Sequence, residues 1–198
     1  MEGLNLRSKR PRSSRAAAHR LERVQASNMH QSWSMDFVAY QLFNRRRIRA
    51  LTVVDNFSRK CLAIHVDSSI KGNDVTDIMG RISERYGQTP QRIHVDNGSE
   101  FISKALDHWA YENTVTLDFS RPGKPTDNPY VESFNGSFRD ECLNLHWFLS
   151  LEDARDKIEA RRQEYNSYRP HSSLGGFTTD EYIETHLQNR PDSLLLTG

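Results

Sequence analysis

The chain has 198 residues, 36% of them hydrophobic and 10% aromatic, which is enough for one sizeable domain with appendages. Charged residues make up 27%, so the surface is very polar, and the net charge of +1 hides a strongly basic start: residues 1–27 carry Arg7, Lys9, Arg10, Arg12, Arg15, Arg20 and Arg23 against Glu2 and Glu22. No run is long and apolar enough to span a bilayer, no signal-peptide segment opens the chain, and two lone cysteines, Cys61 and Cys142, make neither a disulfide framework nor a zinc cluster; the expectation is a soluble intracellular protein.

Residues 1–30 hold few large apolar side chains and read as a basic arm or linker, either a solvated tail or a segment that binds phosphates. From residue 32 the pattern changes. SWSMDFVAY alternates, with Trp33, Met35 and Phe37 on one face and Asp36 on the other, as in a strand. RIRALTVVDNF, 47–57, ends in a continuous apolar run suited to a central strand, and CLAIHVD follows after a short turn, so the first three strands form an antiparallel meander.

NDVTDIMGRISERYG has Val75, Ile78, Met79, Ile82 and Tyr86 at helical spacing, with Gly87 as a stop. RIHVD, 92–96, is a short strand, Ser103 begins a second helix over 103–113, and TLDFS supplies a fifth strand. After the turn-rich RPGKPTDN a third helix starts with Asn128 as N-cap and Pro129 at its first position, its stripe of Val131, Phe134, Phe138 and Leu145 facing the core. A long last helix, roughly 151–168, opens on Ser150 and Asp153 and lines up Ala154, Ile158, Tyr165 and Tyr168. This order describes a mixed α/β sheet of five strands with helices on both faces, a core over 31–150 and a C-terminal helical extension over 151–198 packed on it.

Three acids then draw notice. Asp36 lies in the first strand, Asp96 ends the fourth, and Glu132 sits one turn inside the third helix, with thirty-five residues (97–131) between the last two. If the fourth strand lies beside the first, the two aspartates converge at one sheet edge and Glu132 completes a triangle. Three carboxylates in a partly dry site repel one another unless a cation neutralises them, and such hard oxygen ligands suit Mg²⁺ or Mn²⁺. Two ions about 3.5–4 Å apart could serve an in-line displacement at phosphorus. Spacing alone does not single this triple out among 26 acids, and an Asp at a strand end is commonly a turn residue. Arg139, seven residues after Glu132 on the same helical face, could hold a phosphate there, with Asn135 on the adjacent turn.

WSMDF, TVVDNFSR, DNGSEF, RPGKPTDN, ESFNGSFRDECLN and YNSYRPHSSLGG, in this order over roughly residues 30–185, resemble the catalytic core of bacterial insertion-sequence transposases, a core similar to retroviral integrase. The resemblance implies an RNase H-like fold with a catalytic DDE set of Asp36, Asp96 and Glu132. It implies Mg²⁺ or Mn²⁺, two ions with DNA bound, and cleavage at mobile-element ends followed by 3′-hydroxyl strand transfer. It places Arg139 in the basic position after the glutamate, DNA and further copies of the chain as partners, and the bacterial cytoplasm near the nucleoid as the location. Asp127, Val95, Gly176 and Thr179 depart from the family's usual residues without touching the acids. The family's helix-turn-helix region does not precede the core, so end recognition is expected from another segment or polypeptide.

Lys124 and Arg121 flank the loop before the third helix and are expected to meet DNA phosphates, as are Asn135 and Arg139. Asn97 and Glu100 could steady Asp96 by hydrogen bonds, though turn formation explains Asn97 equally well. Asp55 ends an apolar strand as Asp96 does and is assigned to a turn with Asn56; His171 is read as structural, Trp33 and Trp109 as core, and Arg45–Arg47 as a basic turn that meets either DNA or water. Two alternatives stay open: a nuclease of this fold that does not join strands, and a decayed or domesticated DNA-binding remnant. Three convergent acids argue against the second.

Overall fold

In the computed structural model, residues 25–121 and 128–188 are described. Lys124, Asp127 and most of the basic arm lie outside them. Three consecutive strands open the sheet, β1 (Ser32–Gln41), β2 (Arg47–Asp55) and β3 (Cys61–Asp67). Helix α1 (Gly72–Tyr86) leads to β4 (Arg92–Val95), and α2 (Lys104–Glu112) leads to β5 (Thr116–Phe119). The strands lie in the order β3-β2-β1-β4-β5, the first three antiparallel and β1, β4 and β5 parallel. The meander read from the short turns is therefore present. The two later strands join through helical crossovers, as parallel pairing requires.

Helices cover both faces. On one, Trp33, Met35, Leu51, Val53 and Ile93 pack against Val75, Met79 and Ile82 of α1 and Leu106 of α2. On the other, Val38, Ala50, Val54 and Val66 meet Val131 and Phe134 of α3 (Pro129–Phe138) and Ala154, Ile158 and Tyr165 of α4 (Leu151–Ser167). Since α4 shares the sheet's own apolar cluster, residues 151–167 complete the core's second layer. A last helix, α5, spans Thr179–Gln188. Among the described residues no helix is long and apolar enough to cross a membrane.

Local chemistry sets the helix ends. Ser103 Oγ accepts from Leu106 N at 3.2 Å, and Ser150 Oγ from Asp153 N at 3.1 Å, while the Asp153 carboxylate takes Leu149 N at 2.9 Å. Gly87 ends α1 at φ 65°, a left-handed conformation that costs a residue without Cβ nothing.

Three sequence expectations need correction. Asn128 precedes α3 as expected, but its side chain does not cap the helix: Nδ2 donates to Met35 O at 3.1 Å and His94 O at 3.4 Å. Both carbonyls lie where the β1–β4 ladder ends, at Ser34 and His94. Leu145 is exposed because α3 passes into a wider π-helical turn, Arg139–Leu143. The wider turn shifts the buried phase to Cys142 and Leu143. Tyr168 is exposed because α4 ends at Ser167 and Tyr168 leaves the helix at φ −126°.

Candidate active site

Asp36 lies midway along β1 and faces α3 rather than α1. Its Oδ1 accepts from Phe37 N at 2.7 Å and its Oδ2 from Asn135 Nδ2 at 2.8 Å. Thr52, directly across in β2, donates its hydroxyl towards Asn135 Oδ1 at 2.9 Å and Asp36 O at 3.1 Å. The Asp36 carboxylate has only acceptors, so it takes the Asn135 NH₂ group, and the amide oxygen is left to accept from the Thr52 hydroxyl. This strap ties α3 to β1 and β2 and fixes the Asp36 rotamer.

Asp96 arrives from the neighbouring strand. The parallel register pairs Ser32 with Arg92 and Ser34 with His94. Counting two residues on, Asp96 comes opposite Asp36, on the same face of adjacent strands. Burial pushes the Asp36 carboxyl above the ordinary aspartate range, and the negative charge of Asp96 raises it further. The Phe37 N–H, the Asn135 amide and the Arg139 charge pull the other way. Both Asp96 and Arg139 thus act on Asp36 through space.

The loop after β4 is held in place by its own chemistry. Asp96 Oδ1 accepts from Gly98 N at 2.9 Å, and a Cβ on residue 98 would sit 2.9 Å from that oxygen, so any larger residue would push the carboxylate from this position. Asn97 Nδ2 donates to Ser120 O at 2.6 Å and Ser120 N to Val95 O at 2.9 Å, closing the loop onto the end of β5. Glu100 pairs with Arg49 of β2, which holds its carboxyl below the usual glutamate range. Arg49 in turn lies 4.1 Å from the Phe37 ring centre. Neither Asn97 nor Glu100 bonds Asp96: Asn97 takes the turn role open to it, Glu100 departs from the expected contact, and both anchor the loop that presents Asp96.

Glu132 stands in the first turn of α3, its side chain exposed, and its amide donates to Asn128 O at 3.2 Å. It precedes Asn135 by three residues, which sets both on one helical face. Because Asn135 is pinned to Asp36, Glu132 lies about one turn along the same edge. Among the described residues no three His, Cys, Asp or Glu side chains stand close enough together to hold a metal ion. Asp36 and Asp96 are the brought-together pair, with Glu132 on the adjoining turn. Two hard carboxylates side by side, one already protonation-prone through burial and repulsion, are a donor set that a divalent cation fits.

Arg139 is exposed at the far end of α3, and Arg121 is exposed just past β5, next to the loop that carries Asp96. Asn135, grouped with the DNA contacts in the sequence, is buried, and its amide is committed to Asp36 and Thr52; a buried polar residue inside an apolar helical stripe was the available signal. Thr52 and Arg49 carry no signal of their role in the sequence, since nothing in a β-strand sequence shows which partner lies across. Asp55 is a turn residue as expected: fully buried, it accepts from His30 N, Phe57 N, Ser58 N and Ser58 Oγ. His171 packs its ring on Tyr165 at 4.8 Å and is buried, a structural role, and Trp33 and Trp109 pack in the core.

A five-stranded sheet in this order, with an aspartate on β1 facing another just past β4, defines the RNase H-like class. Two models described as "Integrase core domain" match residues 26–125 and 113–178. The chain belongs to the integrase core domain family. It is 49% identical over 154 residues to the insertion element IS407 31.7 kDa protein of Burkholderia multivorans, covering 78% of this chain and 55% of that one. It is 45% identical over 167 residues to the insertion element IS476 39.2 kDa protein of Xanthomonas euvesicatoria, covering 84% and 48%. The chain thus spans about half the length of these relatives. The HTLV-2 integrase catalytic core domain, solved in complex with magnesium in a trimeric form, shares its fold at a TM-score of 0.59 and 16% identity, over 78% of this chain and 96% of that one.

Proposed function

We propose that this chain is the catalytic core of an insertion-element transposase, cutting DNA at the element's ends and joining the freed 3′-hydroxyl to a second phosphodiester. The observation that carries the reading is the approach of Asp96, just past β4, to Asp36 on the adjacent parallel strand, close enough for its charge to raise the Asp36 carboxyl, under a helix strapped to Asp36 through Asn135. Family membership and the insertion-element relatives support the reaction class.

Asp36, Asp96 and Glu132 would hold Mg²⁺ or Mn²⁺, two ions with DNA bound. Such ions would lower the pKa of the attacking oxygen's proton and neutralise charge on the leaving oxygen. The chain's own residues do the rest. Asn135 and the Phe37 amide keep Asp36 in one rotamer, and Gly98 and Asn97 keep Asp96 beside it. Arg139 takes a non-bridging phosphate oxygen and, with Arg121 and Lys124, sets the DNA track. Water attacks phosphorus at an element end and the bond to the 3′ oxygen breaks. The released 3′-hydroxyl then attacks the target phosphorus, forming a new P–O bond as the target strand's own P–O3′ bond breaks and leaves a 3′-hydroxyl there, without a covalent link to protein. Acting on two ends calls for more than one copy, and the HTLV-2 core, described as trimeric and dimeric, supports that expectation.

The test is Glu132→Gln on a labelled duplex carrying an element end. Mg²⁺-dependent cleavage should vanish while DNA affinity stays within a few-fold; cleavage at the parental rate would remove Glu132 from the mechanism. Joined product from the parent chain separates strand transfer from plain hydrolysis.

A further inference from the structure

Beyond the carboxylates the described surface carries one unusual patch. The tip of the β1–β2 hairpin is buried on its inner side, where Leu42 and Ile48 pack with Phe148, and Phe43 N donates to Phe148 O at 2.8 Å. Its outer side leaves Phe43 61% and Trp147 72% exposed, their rings 5.3 Å apart. Arg45, Arg46 and Arg47 follow after Asn44 and are all exposed. No guanidinium of the three has an ion-pair or hydrogen-bond partner among the described residues, whereas Arg49, Arg155, Arg161, Arg162 and Arg169 are each paired with a carboxylate. Exposing an aromatic pair costs solvation free energy, and three adjacent unpaired cations repel. Neither feature helps the fold.

We infer that Phe43 and Trp147 with Arg45–Arg47 form a second DNA-contact surface, taking an unpaired base of a strand that runs on from the candidate active site. The inference rests on the transposase reading above. Its position supports it: Gln41 is five residues past Asp36 on β1, about 17 Å along the strand. At 3.4 Å per nucleotide, roughly five residues of DNA strand bridge that distance. Arg139, at the end of the helix strapped to Asp36, lies at the start of the segment that carries Trp147. The chemistry also selects the occupant. Exposed aromatic faces stack on unpaired bases, and cations beside them take the flanking phosphates. A second copy docked symmetrically here would bring two arginine triplets face to face, so charge favours a polyanion.

The experiment uses the full chain and a 20-nucleotide thymidine oligomer, with a blunt duplex of equal length alongside. Trp33 is buried and Trp109 half-buried, so oligomer binding should quench the fluorescence of Trp147, and Trp147→Leu should abolish that quenching. Trp147→Leu should weaken the oligomer about tenfold and the duplex less than twofold. Combined Arg45→Gln, Arg46→Gln and Arg47→Gln should flatten the salt dependence by about two in log–log slope. Urea unfolding of each variant should match the parent, since every altered side chain is exposed. Oligomer affinity unchanged in both variants would overturn the inference, as would intact DNA binding with a change of mass in light scattering, which would mark a protein interface. A parent chain that cleaves element ends while the variants match it sinks this surface alone; a parent that binds no DNA sinks the proposed function too.

Discussion

Two strand ends carry the same tripeptide, Val-Asp-Asn: Val54–Asn56 at the close of β2 and Val95–Asn97 past β4. In the first, the chain turns straight back into β3, so Phe57 and Ser58 curl over Asp55, which also receives His30 N from the strand entry. Its carboxylate is filled by four donors and fully buried. In the second, the chain leaves for α2. Asp96 keeps one local donor, the Gly98 amide, and its exposed carboxylate faces Asp36 across the sheet. One aspartate ends as a structural acceptor and the other as an open donor of lone pairs. The difference comes from the segment after each turn and the strand beside it, not from the tripeptide.

Exchanging the two positions should separate activity from stability. Asp96→Asn and Asp36→Asn should each lower Mg²⁺-dependent cleavage by roughly three orders of magnitude, the several kcal/mol a lost ion ligand is worth. Asp96→Asn should leave the unfolding free energy within about 0.5 kcal/mol of the parent's. A cleaving Asp96→Asn enzyme would return Asp96 to the status of a turn residue. Asp55→Ala reverses the pattern: three backbone N–H groups lose their acceptor, and stability should fall by about 3 kcal/mol or more, read from urea unfolding. A mild loss there would mean water replaces the carboxylate.

Asn135→Ala should fall between, costing about 1–2 kcal/mol of stability for its two buried hydrogen bonds and raising the Mg²⁺ concentration needed for half-maximal cleavage. Asn135→Asp, which swaps a donor for a second negative charge, should be worse; equal metal dependence in all three chains would confine Asn135 to folding. The smallest effect concerns pH. Asp36 has a raised pKa in the folded state, so the unfolded chain gives up its proton first as pH rises, and stability falls from about pH 4 up through the folded value. Asp36→Asn should therefore unfold at higher urea than the parent at pH 7 in chelator, and at the same urea near pH 3. Added Mg²⁺ should stabilise only the parent. A variant less stable than the parent at pH 7 would contradict the upward shift that burial, with the Asp96 charge, imposes on the Asp36 carboxyl.

Element order, both helix caps at Ser103 and Ser150 and the two-faced apolar pattern were legible because they depend on neighbours within a few residues. Leu145 and Tyr168 fall off the 3.6-residue period because the helix widens before the first and stops before the second. Thr52, Arg49 and the true partners of Asn128 and Asn135 were illegible for another reason, as each contact joins strands or helices far apart in sequence.

By itself, then, the chain's order of residues determined the alternation that makes β1 a strand, the acids at its middle and beyond β4, and the helix that carries Glu132. Tertiary structure alone decided that β4 pairs with β1 in a register that brings Asp96 beside Asp36, and which of two identical strand ends stays open. Short-range periodicity encodes local conformation, whereas register between strands about sixty residues apart is set only when both faces of the sheet are buried together.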